Sequence, residues 1–153
     1  MKRRIVLSFA ALTLASAIVG AGGIDARSTA GSASDFVLAS FDDGTTHHFI
    51  TAWSGPAGGK AQGVFLTSIP WLKGEVRCLG VHRHEALVIA DNRELRFVVM
   101  LALRDNRPGP DELLWVDFRE GSAPRPCPPF DGTDGRPGTP VSGDVWVHDG
   151  REP

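Results

Sequence analysis

From Asp35 onward the chain is a succession of short apolar runs separated by turn residues. The runs are Phe36–Phe41, His47–Trp53, Gly63–Ile69, Glu75–Val81, Ala86–Ala90, Leu95–Arg104, Leu113–Phe118 and Val145–His148. Between them stand Asp42-Asp43-Gly44, Ser54 to Gly59, His82 to Glu85, Asp91-Asn92, Asp105 to Pro110 and the long stretch Gly121 to Pro140. Strands of about five or six residues recurring about every ten residues mark an all-β barrel or sandwich. The pattern therefore predicts about eight antiparallel strands in a small barrel or sandwich, one β domain over residues 35–150.

Helix fits poorly. No window beyond the first 21 residues keeps apolar positions at i, i+3, i+4 and i+7 without a Gly or Pro breaking it. Even Glu94 to Arg104, the best helical stretch, centres on Phe97-Val98-Val99, which is aromatic and β-branched. Read as a strand, it puts Phe97, Val99, Leu101 and Leu103 on one face and the equally apolar Val98, Met100 and Ala102 on the other, so a central strand covered on both sides is expected. In Glu75–Val81 the alternation predicts Val76 and Cys78 on one face, with Glu75 and Arg77 in solvent. Gly121 to Pro140 is rich in Pro and lacks periodicity, so it is expected to be a long loop pinned at Cys127 rather than by packing.

The N-terminal pattern is different in kind. Lys2, Arg3 and Arg4 precede the apolar run Ile5–Val19, and Val19-Gly20-Ala21 supplies the small residues of a cleavage site. Residues 1–21 thus read as an export signal, too short to cross a bilayer core of about 30 Å comfortably. Residues 22–34, small and polar, read as a flexible lead into the domain. Cleavage would leave about 130 of the 153 residues, enough for one modest core. It would also take the 16 basic side chains to 13 against 18 acidic ones, a net charge of −5. Such a chain has no basic stripe for nucleic acid and no means of stable membrane insertion after the signal is removed. Secretion, to the medium or the cell envelope, is expected. In that oxidising setting the even pair Cys78 and Cys127 is expected to form one disulfide, worth about 4 kcal/mol in the chain-entropy model.

The second half resembles a family of small exported β-rich proteins of high-GC bacteria with no assigned function. The likeness rests on Gly74-Glu75-Val76-Arg77-Cys78-Leu79-Gly80-Val81, the return strand Glu85 to Ala90, the strand Phe97 to Leu103 leading into Asp105-Asn106, then Asp111, Cys127-Pro128-Pro129 and Ser142-Gly143-Asp144-Val145-Trp146-Val147. The chain departs from that pattern at Arg83-His84, where Gly-Asn is usual, and at Arg107, where Gly is expected. The resemblance implies a compact β fold with the Cys78–Cys127 bridge, and no activity.

Residues with chemistry to offer are few. His82-Arg83-His84 would place two imidazoles on one face of a strand, within reach of Zn²⁺ or Cu²⁺, although a solvated hairpin tip fits the same residues. Asp105, Asp111 and Glu112, and the run Asp131-Gly132-Thr133-Asp134-Gly135, read as turn formers; the latter lacks the closing Glu of a Ca²⁺ loop. Ser54 has no preceding Gly of a nucleophile elbow. Of the tryptophans, Trp53 and Trp115 are expected in the core, whereas Trp71, after Pro70, and Trp146, out of phase with Val145 and Val147, are expected to face a ligand. The expectation is an exported non-enzymatic β domain, without a cofactor, that binds a small molecule, glycan or protein or has a structural role. The alternative is a Zn or Cu protein or enzyme built on His82 and His84.

Overall fold

The computed structural model describes residues 34–55, 60–68 and 71–151, with the side chain of Trp71 excepted. The signal read at 1–21, and all but the last residue of the lead at 22–34, lie outside the described residues. Among the described residues nine strands form: β1 (Asp35–Asp42), β2 (His47–Ser54), β3 (Gln62–Ser68), β4 (Trp71–His82), β5 (Glu85–Asn92), β6 (Phe97–Arg104), β7 (Glu112–Glu120), β8 (Thr139–Pro140) and β9 (Ser142–His148). No described residue is helical. Each of the eight predicted runs contains a strand. Leu95 lies in the β5–β6 turn instead of the strand, and the two-residue β8 had no apolar pattern to betray it.

The strands make one antiparallel sheet in the order β8-β7-β6-β5-β4-β3-β2-β1-β9. Because β8 and β9 are separated only by Val141, the two ends of that order are nearly the same piece of chain. The sheet therefore curls into a nearly closed barrel, with β8 on Glu112 and Leu113 of β7 and β9 along Phe36 to Asp42 of β1. Alternation decides what goes inside. Val37, Ala39 and Phe41 of β1, Ile50 and Ala52 of β2, Phe65 of β3, and Val99, Leu101 and Leu103 of β6 are all buried in one contiguous interior cluster with Val145 of β9.

On the edge of β9 that faces away from β1, two carboxylates take the place of a strand. Asp111 accepts the Val145 amide at 2.7 Å through Oδ2 and the Asn106 amide at 3.0 Å through Oδ1. Asp105 Oδ2 accepts the Val147 amide at 3.3 Å. Turn chemistry alone did not foresee this: both acids are buried, and they seal the seam of the barrel.

Two bulges re-aim side chains. Between Val76 and Cys78 the register of β4 on β5 slips by one residue at Arg77. Val76 stays inside, whereas Cys78 turns to the outer wall, where it packs with Leu87, Ile89, Val98 and Ala123. The shared face expected for Val76 and Cys78 is thus wrong, because one extra residue inverts the alternation. The inversion is also what presents Cys78 to Cys127. Their sulfurs are bonded at 1.95 Å, with the Cα atoms 5.6 Å apart.

Candidate functional site

The segment 121–138 runs across the outer wall of β4, β5 and β6, which is why both faces of β5 and β6 are covered. It is not pinned by the disulfide alone, as the sequence suggested. At its start, the Ala123 amide donates to Asp91 Oδ2 at 3.2 Å, while Asp91 Oδ1 holds Arg77 Nε at 2.8 Å. In the middle, Phe130 lies over Gly80, so closely that a Cβ on that glycine would stand 2.7 Å from the Phe130 Cβ. Further on, Glu85 Oε2 accepts both the amide and the hydroxyl of Thr133, at 2.6 and 2.8 Å.

Arg104, at the end of β6, ties these parts together. Its guanidinium donates to Glu85 Oε1 at 2.7 and 2.9 Å, to Glu112 Oε2 at 2.5 Å, to Thr133 Oγ1 at 3.2 Å and to the Arg136 carbonyl at 3.0 Å. Burial opposes ionisation of Glu85, but the hydrogen bonds from Arg104 and Thr133 prevail and hold its carboxyl below the ordinary range. A charged, planar fork with five donors is the side chain able to satisfy two carboxylates and a loop together.

Between this clamped loop and the sheet lies a cleft of about 640 Å³, within the range typical of small-molecule sites. Leu87, Leu114, Trp115 and Phe130 form its apolar wall; Thr133, Asp134 and Arg136 give the polar rim. Trp115, expected in the core, is 39% exposed there. The bulge in β7 opposite Ala102 and Leu103 is the reason, since it takes Trp115 out of the inward phase that Leu113 begins. One broad ring beside a carboxylate and a guanidinium can stack on a flat ligand face and hydrogen-bond its edge.

The other predicted site residues lie elsewhere. His82 ends β4, and Arg83 and His84 are the two-residue turn into β5, so the imidazoles do not share a strand face. Both border a smaller hollow of about 390 Å³ on the far side of the 131–135 turn, with Asp131 and Asp134. Among the described residues no group of three or more His, Cys, Asp or Glu is arranged to hold a metal ion. Trp146 is 49% exposed on the opposite wall, with the Arg107 guanidinium 4.6 Å above its ring. Trp53 is exposed on that wall too, contrary to the core placement expected of it. The side chain of Trp71 is outside the described residues.

A hydrolase dyad does not assemble at Ser54, although Ser40 Oγ and His47 Nε2 lie 3.3 Å apart on the exposed face of β1 and β2. His48 and Ser54 both face the interior, but six positions along one strand set them roughly 20 Å apart. Thr67 stands directly across from His48, whose Nε2 meets Asp43 Oδ2 at 3.0 Å, yet both are shut inside the barrel. Arg104, Asp91 and Phe130 were missed by sequence reading. Phe130 alone left a signal, as the one aromatic residue in a Gly- and Pro-rich stretch. No family model, curated protein or solved structure matches the chain.

Proposed function

We propose that this is an exported, non-enzymatic binding domain whose ligand, a glycan, seats in the cleft between the 121–138 segment and the outer wall of the barrel. The observation that carries the reading is Trp115, a half-exposed indole on a rigid strand, facing a rim of Thr133, Asp134 and Arg136. A sugar ring offers the matching surface, with an apolar face for the indole and hydroxyls for the rim. The barrel interior is packed with side chains, so an external cleft is the better place for a ligand. The disulfide indicates an oxidising, non-cytoplasmic setting, and no helix among the described residues is long and apolar enough to cross a membrane. Export agrees with both and with the N-terminal pattern.

The test is titration of a panel of neutral and acidic oligosaccharides, read by calorimetry. Saturable binding that weakens about tenfold or more in Trp115→Ala and is unchanged in Trp146→Ala is expected. Binding indifferent to Trp115→Ala, or none across the panel, would remove the basis for the proposal. Stoichiometric zinc or copper in the purified protein, lost on replacing His82 and His84, would favour the metal-protein alternative instead.

A further inference from the structure

Beyond Leu113, one edge of β7 pairs with no strand among the described residues. Only Glu112 and Leu113 of β7 pair with β8, so the rest of that strand has β6 on one side and no strand on the other. The opposing edge of β9 is treated differently, for Asp105 and Asp111 accept its amides. Open strand edges are templates for another strand, because alternate amides and carbonyls point outward unpaired. This edge is also apolar: Val116 is 36% exposed and Phe118 46%. Phe118 directs its ring at the interior Phe65, 6.2 Å away.

The polar residues of the edge say which strand fits. Asp117 and Arg119 point to the same face and form an exposed ion pair with each other, a contact worth little in water. An antiparallel partner must keep inward residues opposite inward residues. For a second β7, centring on Asp117 would oppose two carboxylates. Centring on Val116 would run Arg119 against Leu113, which β8 already occupies. Centring on Phe118 sets phenyl against phenyl and places Asp117 opposite the second copy's Arg119, twice by symmetry. In that register Val116 meets the second copy's Glu120, and the complementarity is carried by Phe118, Asp117 and Arg119.

We propose that two copies of this chain join through the β7 edge, antiparallel over Val116–Glu120 with Phe118 at the two-fold axis. The pairing extends the sheet from one barrel into the other and leaves Trp115 on the outer wall. It does not depend on the glycan reading.

Sedimentation velocity on the purified protein, at concentrations rising into the hundreds of micromolar, should show a monomer–dimer equilibrium. Asp117→Arg alone and Arg119→Asp alone should each weaken it about tenfold, and the double exchange should restore it. Phe118→Cys should give an oxidised covalent dimer far faster than Val116→Cys or Glu120→Cys, since position 118 alone faces itself. In the unaltered protein, amide hydrogen exchange of residues 116–120 should slow as concentration rises. A monomer at every concentration overturns the proposal. So does a dimer insensitive to the charge exchange, one that cross-links best at 116 or 120, or one whose 116–120 amides exchange at a concentration-independent rate.

Discussion

Asp35 is 1% exposed and inward-facing at the first position of β1. Burial pushes its carboxyl above the ordinary value, against the lowering effect of the Gly150 amide that donates to Oδ1 at 3.0 Å. An acid whose folded form resists ionisation costs stability once the pH exceeds its unfolded value of about 3.9. Asp35→Asn keeps an acceptor for Gly150 and removes the charge. Thermal melts should therefore show the variant more stable at pH 7, with the gain shrinking to nothing as the pH drops below about 4. Arg104 is the opposite case. Arg104→Met would leave Glu85 and Glu112 facing each other with no cation between them, at a cost of about 3 kcal/mol in urea unfolding. Neither role was legible in the sequence, where Asp35 and Arg104 look like ordinary strand ends. Partners such as Gly150 and Thr133 are remote in the chain, and no periodicity reports them.

At the level of elements, the strands were readable because interior and exterior alternate along them, and because β6 is apolar on both faces. Bulges were not readable, since nothing in Val76-Arg77-Cys78 or Leu113-Leu114-Trp115 distinguishes an extra residue from a regular one. That single gap accounts for the misplaced faces of Cys78 and Trp115, and so for the cleft going unseen. The closing strand yields a prediction of its own. Burial opposes ionisation of Asp105, yet Arg107 and the Val147 amide outweigh it and lower its pKa. A lowered acid stabilises fully above its unfolded value of about 3.9, and that contribution is lost as the pH falls through the folded value. The amides of β9 should thus lose hydrogen-exchange protection in acid before those of β5. Asp111→Ala should reproduce this at neutral pH, because the buried Val145 amide loses its acceptor, at about 1–3 kcal/mol.

For the whole molecule, the outer wall is divided. The half formed by β4, β5 and β6 is roofed by the protein's own 121–138 segment. Over the half formed by β9, β1 and β2, no such segment lies among the described residues, and Phe36 stands between Trp53 and His148, with Leu38 beside Trp146. Asp149, held at about 2 by Arg151, keeps its ion pair far into acid. Its contribution is complete above about 4 and fades only as the pH approaches about 2. A far-UV melt series across that range should show a loss of stability near pH 2 that Asp149→Asn abolishes.

The pairing of β1 with β9 has a consequence in time as well as in space. Strands β1 to β7 form a meander in which each hairpin can zip as soon as its second arm exists. The barrel shuts only when residues 142–148 reach the very first strand, a contact that spans most of the chain and is slow to find. Until then β1 keeps one unguarded flank, and the chain is an unrolled ribbon. A polypeptide that emerged from a narrow channel N-terminus first would be held open in this way until residues 142–148 had come through.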